Sequence, residues 1–341
     1  MELKNNLVSV IMSNYNTPEE YLRQAIESIL NQTYRNFEFI IIDDCSTDNS
    51  LQIIESYTDN RIKIIRNEQN LGITKSLNKG LAVAVGEFVA RMDADDISLP
   101  ERFEKQVAFL KSHTEYIVCG TGVELIGEWE KKHSNKYICR TIPEREQFRI
   151  NLLFGNYPNI VHPTAMFNNT LLKKYGITYN ENYPLAQDYR MWVSCSEVAE
   201  CANLPETLLN YRVHGKAVSS DKKQLQSEIA IRIMQEQLDK LDLKLSDEYA
   251  VIHKDFLYSR KEYNLKCKKW IKTLLNHNKI HKVYNQKLFK KTLWKKWAEI
   301  SYFGLFQSNN VLETFSVVVH ISPLLFPYLF KFRKRRKREK T

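Results

Sequence analysis

Phe37-Glu38-Phe39-Ile40-Ile41-Ile42-Asp43-Asp44 is the stretch whose reading decides the fold. Its apolar residues are nearly continuous instead of alternating, as suits a strand of a parallel sheet covered on both faces. Two carboxylates end the run, and Ser46-Thr47-Asp48 then opens a helix. Upstream, Leu7-Val8-Ser9-Val10-Ile11-Met12 is a short apolar strand. Thr17-Pro18-Glu19-Glu20 follows as a capping box with proline at the first helical position. Leu22, Ile26, Ile29 and Leu30 give that helix an apolar stripe. Downstream, Arg61-Ile62-Lys63-Ile64-Ile65 is a third strand, a helix follows over about 73–85, and Phe88-Val89 lies in a fourth strand. Strand and helix alternate four times in roughly the first 100 residues, which reads as a doubly wound, mostly parallel α/β sheet.

Arg91-Met92-Asp93-Ala94-Asp95-Asp96 follows the fourth strand directly. Three carboxylates in four residues repel one another, and a strand end also desolvates them. Asp-x-Asp spacing sends two side chains to one side of an extended chain, as shared chelation of one hard cation requires. Oxygen-only donors suit Mg²⁺ or Mn²⁺ better than Zn²⁺. A solvated acidic turn fits the spacing equally well. Both acidic clusters, however, fall at strand carboxyl ends, where open α/β sheets bind ligands. That coincidence favours a binding site. No Gly-x-Gly-x-x-Gly and no Gly-Lys-Ser/Thr loop occurs, which argues against a dinucleotide enzyme and a P-loop ATPase. Any phosphate bound here needs a metal, with help from a cation such as Arg91.

Ser98-Leu99-Pro100-Glu101 reads as the cap of a further helix bearing Phe103, Val107 and Leu110. Strand-like runs occur at Tyr116-Ile117-Val118-Cys119 and at 161–167. Asp188 enters an amphipathic helix, where position alone makes it an N-cap or first-turn residue. His162 reads as a satisfied core histidine, Trp192 as core, and His214 as a loop residue open to either role. Six cysteines are scattered without a Cys-x-x-Cys pair. That argues against zinc and a disulfide framework and points to a reducing cytosol. Met1 to Asn6 lead straight into a strand, without the apolar stretch of a secretory leader.

In register along residues 7–220, the sequence resembles the family-2 glycosyltransferases, inverting enzymes of the GT-A nucleotide-sugar fold. The matching segments run from Val8-Ser9-Val10-Ile11-Met12 through Tyr15-Asn16. Next come Asp43-Asp44-Cys45-Ser46-Thr47-Asp48 (cysteine standing where the family usually has glycine), Asn70-Leu71-Gly72 and Asn78-Lys79-Gly80. Arg91-Met92-Asp93-Ala94-Asp95-Asp96, Gln187-Asp188-Tyr189 and Tyr211-Arg212-Val213-His214-Gly215 complete the series. The resemblance implies that Asp44 binds the uracil of a UDP-sugar, with Asn14, Tyr15, Asn16 and Asn70 alongside. It implies Asp93 at the ribose or metal, Asp95 and His214 at a Mn²⁺ or Mg²⁺ ion on the diphosphate, and Arg91 at the leaving group. It makes Asp188 the general base. Such a transfer needs charge neutralisation on the diphosphate and one base near the attacking hydroxyl, not the paired carboxylates of a glycosidase.

The net charge of +10 hides a division. Residues 254–341 hold 22 Lys and Arg against 5 Asp and Glu, a net of +17, so residues 1–253 carry −7. Three regions are expected: a transferase domain over 1–220, a helical basic region over 221–300, and an apolar segment with a polybasic tail over 301–341. Between 263 and 297 lysines interleave with tryptophans, and the histidines at 253, 277 and 281 read as solvated. That composition fits helices on an anionic membrane, tryptophans at the interface. It also fits a single-stranded nucleic acid or ordinary packed helices. The apolar run 315–330 is short for a span and broken by Pro323 and Pro327. Were it a span, the tail 331–338 would lie outside, against the positive-inside preference. Peripheral or monotopic attachment to the cytoplasmic face follows, with a lipid-linked saccharide as acceptor and no nucleic acid partner. A nucleic-acid-binding protein is the first rival, though it leaves both aspartate clusters unexplained. A nucleotidyltransferase is the second, and the loop Ser13-Asn14-Tyr15-Asn16 lacks the glycines that class uses.

Overall fold

The computed structural model describes residues 3–127, 137–138, 141–155, 160–213, 223–255 and 264–307. The chain divides into two compact units, Met1–Arg149 with Tyr157–Ala230, and Ile150–Asn156 with Ile231–Thr341.

In the first unit, β1 (Lys4–Asn14) lies between β2 (Phe37–Asp43) and β4 (Gly86–Asp93), parallel to both. Strand β3 (Ile62–Arg66) pairs in parallel with the far side of β2. Every residue of β2 is buried, as its continuous apolar run requires. Helices α1 (Glu19–Leu30), α2 (Ser50–Glu55) and α3 (Ile73–Val83) make the connections. Two glycines permit the close packing. A Cβ on Gly80 of α3 would lie 2.5 Å from the Ile11 side chain, and one on Gly86 would lie 2.5 Å from the Leu7 carbonyl oxygen.

Beyond β4 the mostly parallel expectation gives way to a mixed sheet. The remaining strands are β5 (Ile97–Ser98), β6 (Tyr116–Gly127), β7 (Tyr137–Ile138), β8 (Met166–Asn168) and β9 (Glu200–Val213). The order is β3-β2-β1-β4-β8-β6-β9-β5, with β7 beside β6. Strand β8 runs antiparallel to β4 and β6, β6 parallel to β9, β5 antiparallel to β9 and β7 antiparallel to β6. Past Asp93 the regular strand–helix–strand repeat ends, and neighbours not joined by such a crossover are free to run antiparallel.

Helices α4 (Arg102–Ser112), α5 (Arg145–Leu152), α6 (Asn169–Tyr175) and α7 (Gln187–Val198) follow. Residues His162–Thr164, expected in a strand, form a 3₁₀ turn, as Pro163 lacks the N–H a ladder needs. Neither expected cap forms. Pro18 stands at the N-cap of α1 without a side-chain bond. At α4, the buried Gln32 replaces a local cap: its Oε1 accepts from the Phe103 amide at 3.1 Å, and its Nε2 donates to the Ser98 hydroxyl and the Leu99 carbonyl.

The second unit is helical and includes residues of α8 (Lys223–Asp239), α9 (Asp247–Asp255), α10 (Asn264–His281) and α11 (Gln286–Gln307). Its core joins Ile150, Leu153 and Phe154 to Leu238, Ile271, Phe289 and their neighbours. Trp270 and Trp297, expected at a membrane interface, belong to this core at 2% and 3% exposure. The apolar face of each helix packs inward and takes its tryptophan along. His253, expected in solvent, is wholly buried. Its Nδ1 accepts from the Trp270 indole at 3.0 Å, which leaves Nε2 to donate to the Leu153 carbonyl at 2.7 Å. His277 is half-buried, 2.9 Å from the Leu241 carbonyl, while His281 is exposed. Among the described residues no helix is long and apolar enough to cross a membrane. The expected apolar segment at 315–330 and the polybasic tail lie outside the described residues.

Burial pushes the His253 imidazole down to about 4 from 6.5. Between those values the unfolded chain takes up a proton that the folded one refuses, so stability falls as pH drops through this window. The loss is roughly 3 kcal/mol, at 1.36 kcal/mol per pKa unit. Denaturant titrations followed by tryptophan fluorescence should show this slope between pH 6.5 and 4, and His253→Gln should flatten it while lowering stability at neutral pH.

Candidate active site

Strand register brings the polar ends of β1, β2 and β4 together. Asn14 pairs with Asp43, and Ser13 with Asp93. The buried Asn14 donates from Nδ2 to Asp43 Oδ1 and to the Ser46 hydroxyl, both at 3.1 Å, while its own Oδ1 has no partner. Asn16, in the left-handed region at φ 50°, accepts from the Thr47 amide at 2.8 Å. Tyr15 between them is exposed. Asp44 is buried beneath a loop of its own making. Its Oδ1 accepts from Asn67 Nδ2 at 2.7 Å and the Leu71 amide at 2.8 Å, and its Oδ2 from the Gly72 amide at 2.8 Å. Asn70 folds the same loop by accepting from the Gly72 amide. Cys45 sits at φ 62°, a conformation that costs an L-residue about 1–2 kcal/mol and explains a preference for glycine there.

The second cluster forms where β4 ends. Residues 94 and 95 turn, so strand alternation stops at Asp93 and the turn gathers the carboxylates. Asp93, Asp95 and Asp96 each offer an oxygen within 4.8 Å of the others. Arg91 is buried beneath them, paired with Asp93 and donating to the Met92 carbonyl. Its observed partners are thus protein groups. Burial raises the Asp93 carboxyl above its ordinary range; Arg91 opposes the shift and Asp95 adds to it. Burial likewise raises Asp96 well above its ordinary range, with both neighbouring aspartates pushing the same way. Asp96 Oδ2 is buried without a partner. Three hard oxygen donors, crowded together and with Asp96 Oδ2 unpartnered, fit a divalent cation of the Mg²⁺ or Mn²⁺ type. His214, also expected at the metal, lies outside the described residues.

Asp188 opens α7 with its Oδ1 accepting from the Tyr189 amide at 2.7 Å. Burial raises its carboxyl above the ordinary aspartate range, and the charge of Asp93 adds to the rise. The two carboxylates therefore share one electrostatic environment. Tyr211 of β9 feels Asp93, Asp96, Asp95 and Asp188, and burial raises its phenol. His162 bonds through Nε2 to the Tyr179 hydroxyl at 2.8 Å and packs edge-on against Trp192. Burial holds it well below the usual histidine range, so it is a neutral, satisfied histidine. Trp192 is core, stacked on Phe167.

Four residues of this site carry no assigned role in the sequence reading. Asp96 was hidden by the assumption of an extended chain through Asp95. Asn67 reaches the site only through the fold, and Tyr211 and Arg212 lie in the closing motif Tyr211–Gly215, of which His214 alone carries an expected role. The buried Asn67 accepts from Lys79 Nζ at 2.7 Å while holding Asp44. Arg212 donates its amide to Asp96 Oδ1 and its Nε to the Asp95 carbonyl, both at 2.8 Å. Its Nη2 donates to Gln24 at 2.7 Å, and the guanidinium lies 4.0 Å from the centre of the Tyr21 ring. Groups behind a metal ligand typically tune affinity 10–100-fold. Arg212→Ala should accordingly weaken Mn²⁺ binding by at least about tenfold in calorimetry without nucleotide, and Arg212→Lys should lose less.

Residues 9–176 match the model of "Glycosyl transferase family 2". An uncharacterized glycosyltransferase of Haemophilus influenzae is 37% identical over 254 residues, covering 72% of this chain and 78% of the relative. The Escherichia coli UDP-Glc:alpha-D-GlcNAc-diphosphoundecaprenol beta-1,3-glucosyltransferase WfgD is 29% identical over 219 residues, covering 63% and 81%. The crystal structure of S. aureus TarS 1-349 in complex with UDP-GlcNAc superposes with a TM-score of 0.57 at 21% identity, covering 91% of this chain and 88% of that one, which shows a shared fold. With a relative of this identity and coverage, and with carboxylates gathered at the strand ends, the chain belongs to glycosyl transferase family 2.

Proposed function

We propose that the chain is a metal-dependent, inverting glycosyltransferase that moves a hexose from a UDP-sugar to a hydroxyl of a lipid-linked saccharide, at the cytoplasmic face of a membrane during surface-polysaccharide synthesis. One observation carries this reading: Asp188 lies within the field of Asp93, itself one of the three gathered carboxylates Asp93, Asp95 and Asp96. A base and a cation site within one field are what a single displacement on a nucleotide sugar needs.

Asp44, fixed by Asn67 and the amides of Leu71 and Gly72, presents a rigid carboxylate at the nucleoside end, beside Asn14. The unpartnered Asn14 Oδ1 is available to a donor group of the base or ribose. Asp93, Asp95 and Asp96 would hold the cation, which when bound neutralises the departing diphosphate. Arg91 opposes the rise of the Asp93 carboxyl and holds it in place. Asp188 takes the proton of the acceptor hydroxyl as its oxygen bonds to the anomeric carbon and the bond from that carbon to the diphosphate oxygen breaks. Attack opposite the leaving group inverts the anomeric centre. The UDP-GlcNAc complex of TarS and the name of WfgD support a UDP-sugar, and the diphosphoundecaprenol acceptor of WfgD supports a lipid-linked saccharide.

Calorimetric titration of UDP should show binding in Mn²⁺ that EDTA or Asp95→Ala removes. No binding to folded protein in either condition would overturn the UDP reading. Asp188→Asn should leave UDP affinity within about twofold and lower turnover by 10²–10⁴, the usual worth of a positioned base. As the base works ionised and its carboxyl is raised, activity should fall toward acid with a midpoint above the ordinary aspartate range.

A further inference from the structure

Residues 264–298 hold eleven lysines and no arginine, aspartate or glutamate. They cover α10 and most of α11. Trp270, Ile271 and Leu274 of α10 and Phe289, Leu293 and Trp297 of α11 are buried in the core of the second unit, with Trp294 half-buried against it. The opposite faces carry the lysines. Lys269, Lys272, Lys287 and Lys290 are exposed, and no carboxylate of the described residues pairs with them. Charge of one sign concentrated on an outward face is repulsive within the fold and calls for an anionic partner.

Which partner is set by what else these faces offer. Insertion into a bilayer needs a continuous free apolar face, and over 266–297 Ile280 stands alone as an exposed large apolar residue. Binding to single-stranded nucleic acid draws on aromatic rings for stacking, but Trp270 and Trp297 are buried, and the Trp297 ring already has Lys268 Nζ 5.7 Å from its centre. Shape-specific recognition of single phosphates or carboxylates favours the planar fork of arginine, which is absent here, over the point charge of lysine. Many point charges without forks or rings suit a diffuse array of anionic headgroups.

We infer that the outward lysine faces of α10 and α11 dock on an anionic lipid surface by charge, without insertion of those faces. The inference rests on the proposed work at a membrane and adds to it the surface, the residues and the salt-labile mode of attachment. Each lysine near such a surface contributes about fivefold in affinity, so four together give several hundredfold.

The test uses the full chain and vesicles of phosphatidylcholine with about 30% phosphatidylglycerol, or of phosphatidylcholine alone. The wild type should sediment with the anionic vesicles only, at about 50 mM salt, and be released near 0.5 M, where screening shortens to a few ångströms. The quadruple variant Lys269→Glu, Lys272→Glu, Lys287→Glu, Lys290→Glu should bind those vesicles several hundredfold more weakly. The corresponding four-fold Lys→Gln variant guards against misfolding from charge reversal and should bind at least tenfold more weakly. UDP titration serves as the control for folding and for the catalytic reading. Lysine-dependent vesicle binding without UDP binding would sustain the docking surface and remove the donor assignment. Unchanged vesicle binding by both variants overturns the inference, as does salt-resistant binding. Tighter lysine-dependent binding to a poly-uridine oligonucleotide than to vesicles also overturns it, in favour of a nucleic-acid surface.

Discussion

Three carboxylates crowded within 4.8 Å are unstable without opposing charge and directed hydrogen bonds, and much of the first unit is arranged around meeting that demand. From beneath comes Arg91, held because its amide donates to the Ala165 carbonyl at 2.8 Å. Arg102, wholly buried, donates to the Arg91 carbonyl at 2.8 Å; burial pushes its guanidinium down to about 9. From 116 positions further along the chain comes Arg212, whose amide and Nε fix Asp96 and the turn at Asp95. The mixed half of the sheet makes this convergence possible. Strand β8 borders β4, and β9 runs alongside β5, so segments distant in sequence meet at one strand end. A wholly parallel continuation would have ended each strand near a helix instead.

How much of this could be read in the sequence follows from how local each cause is. The run from Phe37 to Ile42 announced a strand buried on both faces, since that demand acts on every residue of the run. The aspartate clusters announced a site, because such charge at the end of an apolar run needs a reason. Asp44 and Asn14 could be placed through the family resemblance, and their supports could not. Asn67 acts on a residue 23 positions away and Arg212 on one 116 away, and neither spacing leaves a periodic mark. Gln32 capping α4 from 71 residues away is the same kind of event. Mixed lysine and tryptophan likewise gave composition without direction: only the fold shows that the tryptophans go inward.

The loop around Asp44 is built from backbone as much as from side chains. Two of its three hydrogen bonds to the carboxylate come from amides, so substitutions at Leu71 that keep the backbone in place leave those contacts intact. Cys45 and Asn16 both occupy left-handed conformations beside it. Local strain of that kind persists only where surrounding contacts over-determine it, and here the Asp43, Ser46 and Thr47 bonds supply them.

The second unit takes part of its core from the middle of the chain, since Ile150, Leu153 and Phe154 pack with residues that follow Ile231. During synthesis those three residues emerge roughly 80 positions ahead of their partners, several seconds at ribosomal rates. For part of that interval, between completion of β9 at Val213 and emergence of residues beyond Ile231, an apolar strip has no partner beside a finished sheet. The order of translation thus gives the nascent chain a stage at which it is sticky, and the helical residues beyond Ile231 are the ones that end it.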